Sequence, residues 1–225
     1  MQNAVIIGAT SGIGKASAQL LRNQGWNVFS FSRSADASGG SVWDAITEVP
    51  DIAHLPDEVN ALVYCPGTIN LKPFKRLTTQ DFLRDFEVNV LGAVKIIQAL
   101  ESRLKAGNAS VVLFSTVAVV QGMPFHASVA ASKGAVEGLC LSLAAEYAPQ
   151  IRFNCIAPSL TDTPLAEKLL NTDAKRESSA LRHPLKTIGR AEDVAAMVAL
   201  LVSDSAGFIT GQTIGMDGGM STVRI

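Results

Sequence analysis

Short apolar runs alternate with longer helical stretches along the whole chain, and this alternation constrains the fold more than any other feature. The runs that read as β-strands, the last of them the weakest, are Ala4–Ile7, Val28–Phe31, Ala61–Tyr64, Val111–Phe114, Arg152–Ile156 and Thr213–Met216. Several are apolar almost throughout, as strands covered on both faces are. The alternation predicts an α/β fold: a doubly wound parallel sheet with helices on both faces, in one domain over residues 1–225.

One segment of the chain is short for such a sheet. Between Arg33 and Ala61, the region of the second to fourth strands, the chain carries a Gly-Gly pair and is broken by Pro50 and Pro56. A doubly wound sheet normally places full strand–helix–strand units here. We therefore expect a shortened or missing helix at this edge.

Composition and charge exclude several classes of protein. Hydrophobic residues make up 48% of the chain and charged residues 17%, which rules out a disordered chain. Nineteen basic and twenty acidic residues leave a net charge of −1, so no electrostatic footprint for nucleic acid or anionic lipid is expected.

The apolar runs and the cysteines bear on location. The longest apolar run, Val194–Val202, is far shorter than the ~18 residues of a membrane span, and the first residues show no basic signal-peptide region. The three cysteines, an odd number, form no C-x-x-C pair. We expect a cytoplasmic protein with reduced thiols, no membrane partner and no metal site.

Two long helices are predicted after the third strand, over Thr78–Lys105 and Ser128–Tyr147. The first begins at Thr78, where Thr78-x-x-Asp81 resembles a capping box, and Asn89 falls on or beside its apolar face. That face comprises Phe82, Phe86, Val90, Ala93, Ile97, Leu100 and Leu104. The second helix runs from about Ser128 to Tyr147. Its Lys133 lies four residues after Val129, so the two share a face.

A glycine-rich loop follows the first strand. Gly8-Ala-Thr-Ser-Gly12-Ile-Gly14 opens a helix that ends at Gly25. Such a loop lets the chain turn sharply and approach a pyrophosphate, which the N–H groups and the dipole of the helix N-terminus then bind. The alternative is an ordinary glycine-rich turn, but the position between first strand and first helix favours a dinucleotide site.

The residue after the second strand predicts which dinucleotide binds. Arg33 stands there, and no acidic residue lies between Gly14 and Arg33. An acidic residue near this position would bind a ribose 2′-hydroxyl, whereas an arginine suits a 2′-phosphate. NADP(H) is therefore favoured over NAD(H), the alternative being a solvated surface arginine.

Together these residues resemble the short-chain dehydrogenase/reductase family, of the single-domain, Rossmann-like type, from Val5 almost to the C-terminus. Gly8–Gly14 matches the family's T-G-x-x-x-G-x-G with Ile7 at the threonine, and only Gly67 remains of N-N-A-G. Matching motifs in the rest of the chain are Asn89-Val90, Phe114–Ala118, Asn154–Ser159, Gly189-Arg190, Glu192–Ala195, Ile209–Gly211 and Asp217–Gly219. The resemblance implies cofactor-binding roles for Gly8, Thr10, Ser11, Gly12, Ile13, Gly14, Ser32, Arg33, Asp44, Cys65, Gly67, Lys133, Pro158, Ser159 and Thr163.

The family's catalytic motif is incomplete in this chain. The family uses Y-x-x-x-K; with the lysine at Lys133, the tyrosine position holds Val129 and the preceding serine position holds Thr116. The resemblance implies catalytic roles for Asn89, Thr116 and Lys133. Neither Tyr64 nor Tyr147 can take the place of the missing tyrosine in this fold. Valine cannot transfer a proton, a loss that typically costs ~10²–10⁴-fold in rate.

Several groups could replace the missing acid. His126 titrates in the useful range but precedes the helix. Ser128 adjoins Val129 but is better suited to cap the helix. Lys133 could act through a water molecule, or no acid could be present at all.

The substrate is not named by the sequence. The segment 164–190 follows Thr163 and is expected to form the substrate lid. Five of its basic residues stand against three acidic ones, an excess of two. The basic residues are Lys168, Lys175, Arg176, Arg182 and Lys186, and the acidic ones are Glu167, Asp173 and Glu177. An anionic or acyl-carrier-linked substrate would suit this balance, although a solvated mobile loop explains it as well.

Two functions therefore remain open. One is an oxidoreductase that reduces a small-molecule carbonyl, or oxidises the matching alcohol, by hydride transfer with impaired or non-standard proton donation. The other is a non-catalytic NADP(H)-binding sensor or scaffold. Family resemblance and the extended apolar faces of the two long helices predict a homodimer or homotetramer.

Overall fold

The sheet is built from parallel strands that join short apolar segments distant in sequence. The computed structural model describes residues 1–34, 40–46 and 50–224. The strands are β1 (Asn3–Ile7), β2 (Asn27–Ser32), β3 (Ser41–Val42), β4 (Ala61–Tyr64), β5 (Ser110–Phe114), β6 (Arg152–Pro158), β7 (Thr161–Asp162), β8 (Gly189–Arg190) and β9 (Thr213–Met216). Over these residues, seven strands pair in the order β3-β2-β1-β4-β5-β6-β9, all in parallel, and β7 pairs with β8 separately.

The helices occupy both faces of this sheet. They are α1 (Gly12–Asn23), α2 (Thr79–Phe86), α3 (Gly92–Ala106), α4 (Ala118–Gln121), α5 (Ala127–Tyr147), α6 (Glu167–Leu170), α7 (Asp173–Leu181) and α8 (Ala191–Val202). Short 3₁₀ turns lie at Phe74–Arg76, Pro164–Ala166 and Asp204–Ala206, and a π-helical turn at Glu87–Leu91. The predicted doubly wound α/β fold is confirmed. In the described part of the chain, no helix has the length and apolar composition that would let it cross a membrane.

Alternate residues of each strand supply two separate cores. Val5 and Ile7 of β1 pack in a cluster with side chains of α3 and α5. Ala4 and Ile6 face the other side and pack with α1 and α8. This two-sided burial explains why the strands are apolar almost throughout. All six predicted strands are present, whereas β3, β7 and β8 have two residues each and are too short to give a pattern.

The expected thin edge of the sheet is present. Among the described residues between Arg33 and Ala61, β3 is a two-residue strand and no helix forms. Buried apolar side chains from this irregular segment cover the sheet instead: Trp43 packs edge-on against Phe31, with ring centroids 6.5 Å apart, and Leu55 joins the same core.

A π-helical turn interrupts the first long helix, and this changes which residues of α2 lie on the buried face. Thr78 caps α2 through the predicted capping box with Asp81. The π-helical turn before α3 then adds a residue to one turn, so the buried side of α2 is shifted by one position. Asp85 faces inward and Phe86 is 40% exposed, so the prediction that Phe86 lies on the buried face is wrong.

Candidate active site

The glycine-rich loop borders a cavity of about 490 Å³ at the carboxyl ends of β1 and β4. Gly8 has φ +83°, a left-handed conformation that glycine adopts without strain. A Cβ on Gly14 would lie 2.3 Å from the carbonyl oxygen of Gly8, so only glycine lets α1 pack this close to the loop. The loop therefore needs glycine at both positions.

The N-terminus of α1 is suited to bind an anion. Its N-cap residue, Ser11, makes no side-chain hydrogen bond to the first turn, and that turn contains no acidic residue. The N–H groups and the positive end of the helix dipole are therefore available to a phosphate. The predicted residues on this cavity are Gly8, Thr10, Ser11, Gly12, Ile13, Gly14, Ser32, Arg33, Asp44, Cys65, Gly67 and Thr163.

The end of the cavity beyond β2 carries two arginines. Arg33 lines it and is exposed to solvent. Arg84 of α2 lines it as well. Sequence reasoning missed Arg84 because it lies on an element whose contact with the nucleotide cavity depends on the tertiary fold. The Ser32 hydroxyl, by contrast, is engaged within its own loop, donating to the Ser34 carbonyl oxygen over 2.9 Å.

A second cavity, of about 320 Å³, adjoins the first. The two share Cys65, Gly67 and Thr163 along their border. The second cavity is lined mainly by apolar side chains, and it brings together the remaining predicted residues Thr116, Val129, Lys133, Pro158 and Ser159. Pro158, Ser159 and Lys133 thus lie on this cavity rather than on the first. The glycine-rich loop and the apolar cavity are therefore adjacent.

Lys133 is buried beside the second cavity, and 7% of its surface is exposed. Its Nζ donates to the carbonyl oxygen of Phe114 over 2.9 Å. Burial lowers the pKa of Lys133 to about 8, against the opposing influence of Cys155, Cys65 and Asp85.

Asn89 stands behind the cavity wall rather than on it. Its Nδ2 donates to Ser132 Oγ over 2.8 Å and to Thr68 Oγ1 over 3.1 Å. Its Oδ1 is buried and has no hydrogen-bond partner in the described part of the chain. A Cβ on Gly67 would lie 3.5 Å from Asn89 Oδ1 and 3.4 Å from Lys133 Nζ. The unpaired acceptor and the ammonium therefore border one space, which fits a shared polar ligand such as a ribose hydroxyl.

No phenol reaches the apolar cavity as the structure describes it. Val129 lies on the wall one helical turn before Lys133. The Tyr64 hydroxyl donates to the Val88 carbonyl oxygen over 2.6 Å, inside the core. Tyr147 ends α5 and packs on Phe153. Thr116 keeps a hydroxyl on the wall, where it can polarise a carbonyl oxygen.

The candidate replacement acids differ in their position relative to the apolar cavity. His126 is the N-cap residue of α5 and lines the cavity, with Nδ1 2.7 Å from the Pro124 carbonyl oxygen. Ser128 was expected to cap this helix, and that expectation is wrong, because the helix begins at Ala127 with His126 as its cap. Ser128 is buried away from the cavity, 3.4 Å from Asn70 Nδ2.

The segment predicted to form the lid contains two helices, and much of it is exposed to solvent. Segment 164–190, all of which is described, contains α6 and α7, and its Leu165, Ala166, Leu169, Ser179 and Arg182 line the apolar cavity. Two of its basic side chains are engaged elsewhere. Arg176 pairs with Asp162 at 2.7 Å, and Lys175 Nζ donates to Asn171 Oδ1 over 2.8 Å. Within this segment, Arg182 is the basic residue that faces the cavity.

A buried histidine behind the cavity gave no signal in the sequence. His183 Nε2 lies 2.9 Å from Ser159 Oγ, joining the end of α7 to the loop after β6. No motif marks His183, and its contact with Ser159 joins residues that lie 24 positions apart in the chain.

Comparison with known proteins agrees with this geometry. Residues 44–221 match the family model described as enoyl-(acyl carrier protein) reductase. The chain is 32% identical to the 3-oxoacyl-(acyl-carrier-protein) reductase FabG of Thermotoga maritima, over 96% of both chains. Among solved structures, it resembles the ligand-free aldohexose dehydrogenase of Thermoplasma acidophilum with a TM-score of 0.88 and 27% identity, covering 99% of this chain and 95% of that one. It also resembles a tyrosine-to-phenylalanine variant of ElxO with NADPH bound, with a TM-score of 0.88 and 25% identity over 99% of both chains.

Proposed function

The chain belongs to the short-chain dehydrogenase/reductase family of NAD(P)-dependent oxidoreductases, and from this premise we propose that it binds NADP(H) and reduces a carbonyl group, or oxidises the matching alcohol. The observation that carries the proposal is the border between the two cavities. There a glycine-lined dinucleotide site meets an apolar pocket that holds Thr116 and Lys133. When bound, the nicotinamide supplies or accepts the hydride.

The residues around the first cavity fit a phosphorylated dinucleotide. The N-terminus of α1 would hold the pyrophosphate, and the exposed Arg33 guanidinium would hold a 2′-phosphate, with Arg84 nearby. Thr163, which lines both cavities, and Lys133, which lines the second, would bind the nicotinamide end. The solved ElxO variant supports one part of this proposal, because that similar chain holds NADPH.

The consumption of NADPH distinguishes a catalytic function from a non-catalytic one. We propose catalysis, supported by Thr116 and Lys133 on one wall of the apolar cavity. Val129 favours a sensor or scaffold that binds NADP(H) without turnover. NADPH consumption should be measured against a broad carbonyl panel, with dinucleotide binding followed by calorimetry. Binding with turnover supports the reductase; binding with none on the whole panel supports the sensor or scaffold.

Replacing Arg33 by alanine is expected to reduce the preference for NADPH over NADH about 10- to 100-fold, because charge-assisted bonds to phosphate contribute roughly 1.5–3 kcal/mol. Calorimetry on both dinucleotides measures this. Arg76→Ala is the control, because Arg76 carries the same charge but lies outside the nucleotide cavity. Equal affinities for the two dinucleotides in the unmodified protein would argue against the assignment.

We also propose a homo-oligomer that forms through the two long helices. Leu83, Leu91 and Leu141 of this helix pair are exposed, and Leu141 is 62% accessible. Leu141→Glu is expected to shift the protein to a monomer at micromolar concentration, because a carboxylate there would be desolvated in the interface. Light scattering measures the mass. Phe74→Glu, on an exposed 3₁₀ turn, should leave the assembly intact. A monomeric unmodified protein would exclude the proposal.

A further inference from the structure

We propose that the Ser159 hydroxyl delivers the proton that Val129 cannot supply, and that His183 positions and recharges this hydroxyl from behind. The proposal deepens the reductase function proposed above and rests on it. It assigns Ser159 a catalytic role and gives the buried His183 a function.

Ser159 lies where a substrate would contact it. It follows β6 directly and lines the apolar cavity with Thr116, Val129 and Lys133. Its backbone is held firmly, since its N–H donates to the Met216 carbonyl oxygen over 3.1 Å and its own carbonyl oxygen accepts from Thr161 Oγ1 over 3.1 Å. These bonds fix the backbone of Ser159 at the cavity, and its hydroxyl lies between the cavity lining and His183.

His183 is fixed behind this hydroxyl. The ring is 2% exposed, and its Nδ1 lies 2.9 Å from the carbonyl oxygen of Ser179. A carbonyl oxygen only accepts, so Nδ1 carries a hydrogen, and in the neutral ring Nε2 is the acceptor. Ser159 Oγ, 2.9 Å from Nε2, then donates to it. The hydroxyl, the imidazole and an orienting carbonyl thus form a chain of the kind found where a side chain transfers protons.

An anionic neighbour accompanies the imidazole. Asp217 is buried in the turn that packs against the His183 side chain through Gly218. Burial raises the pKa of Asp217, but hydrogen bonds from Ser221 and Gly219 and the nearby His183 bring the pKa below its usual value. A carboxylate therefore stands near the ring when the ring is charged.

The proposed step balances. As hydride adds to the carbonyl carbon, the π electron pair of the C=O bond moves to the oxygen. The oxygen takes the proton of Ser159 Oγ–H, and Oγ takes a proton from Nε2 of the protonated ring. His183 is left in the neutral form described above, with Nε2 accepting from Ser159, and one proton taken up from the medium restores the protonated ring before the next reduction. Alcohol oxidation runs the same transfers in reverse.

The geometry favours Ser159 over the other groups on this wall. His126 is half-exposed at the rim of the cavity, with Nδ1 engaged by a backbone carbonyl. Lys133 Nζ points to the Phe114 carbonyl oxygen and the space beside Gly67. Ser159 combines a position on the cavity with a hydrogen bond to a buried titratable ring.

Kinetics on the whole protein test the proposal. Ser159→Ala is expected to lower kcat for carbonyl reduction by ~10²-fold or more, with the Kd for NADPH unchanged, and Ser159→Thr should retain most of the activity because it keeps the hydroxyl. His183→Gln keeps a polar group near Ser159 but carries no exchangeable charge. It should lower kcat and raise the solvent isotope effect while leaving KM unaltered. Ser178→Ala, an exposed position on α7, is the matched control.

Nitrogen-15 spectra of the histidines, recorded without cofactor, give a readout independent of turnover. His183 should show hydrogen on Nδ1 and a hydrogen-bonded acceptor at Nε2, and Ser159→Ala should move the Nε2 resonance. Hydrogen on Nε2 in the neutral ring, or a Nε2 resonance that Ser159→Ala leaves in place, would overturn the proposal.

The outcomes separate this inference from the function it rests on. An unmodified protein that reduces carbonyls, with Ser159→Ala equally fast, overturns only the role of Ser159. An unmodified protein that binds NADPH but reduces nothing contradicts both the reductase function and a working donor at Ser159.

Discussion

Placing a tyrosine at position 129 in Ser159→Ala protein is expected to raise NADPH-dependent carbonyl reduction by ~10²–10⁴-fold, which is the range that a general acid supplies. Val129 and Lys133 are one turn apart on α5, and both line the apolar cavity with Thr116. A phenol at position 129 would therefore lie near the ammonium, which favours the phenolate and eases proton transfer. In the unmodified background the gain should be smaller, because Ser159 already donates.

Val129→Phe in the same background is the matched control. It fills the same space with the same ring but has no hydroxyl, so it should fold and bind NADPH without any gain. Steady-state rates and calorimetric affinities for both variants decide the matter. A Val129→Tyr protein that binds NADPH yet is no faster than Val129→Phe would show that the cavity lacks more than an acid.

Gly14→Ala is expected to weaken NADPH binding by ~100-fold or more and to destabilise the fold by about 1–3 kcal/mol, the usual cost of inserting an atom into a packed site. The added Cβ would lie 2.3 Å from the Gly8 carbonyl oxygen and 3.3 Å from Cys65 Cβ. Because the nearest neighbour is backbone, the loop and the N-terminus of α1 must separate. The groups that would bind the pyrophosphate then lose their arrangement.

A second glycine-to-alanine change controls for the effect of alanine itself. At Gly134, inside α5, an added Cβ meets only Val119 Cγ1 at 3.7 Å, an ordinary contact. Gly134→Ala should stabilise the protein by roughly 0.5–1 kcal/mol, through helix propensity, and should leave NADPH binding unchanged. Chemical denaturation and calorimetry measure both quantities. Unchanged affinity in Gly14→Ala would refute the assignment of this loop to the dinucleotide.

The fold could be predicted because strands that are buried on both faces are apolar at nearly every position, a pattern that is visible in the sequence. Val111 to Phe114 is apolar at every position, and in the structure β5 is buried at every position. The two-residue strands have no such signal, since they are held by neighbours and not by their own apolar character. The capping box at Thr78 was predictable because its two partners lie three residues apart.

The residues of the candidate site likewise fall into those that local sequence predicts and those that only the tertiary fold reveals. The glycine loop, Arg33 and the pair Val129 and Lys133 follow from local spacing, so the sequence places them. Arg84 and His183 do not, because the position of Arg84 on the first cavity and the contact of His183 with Ser159 both depend on elements that are far apart in the chain. Ser128 was misjudged for a local reason: helix α5 begins one residue before it, and His126 occupies the cap.

The π-helical turn at Glu87–Leu91 rotates the side chains of α2 about the helix axis, relative to where a regular helix continuous with α3 would place them. A regular α-helix advances 100° per residue, so one extra residue rotates everything before it by about that angle. In regular phase, Phe86 would fill the core as its spacing predicts, and Asp85 would turn away. The irregular turn instead directs the Asp85 carboxylate inward, where it raises the pKa of Lys133 against the effect of burial. One of the charges that oppose the effect of burial on Lys133, after those of Cys155 and Cys65, is thus set by residue count, and a redesign that regularised this helix would turn the Asp85 carboxylate away from the ammonium.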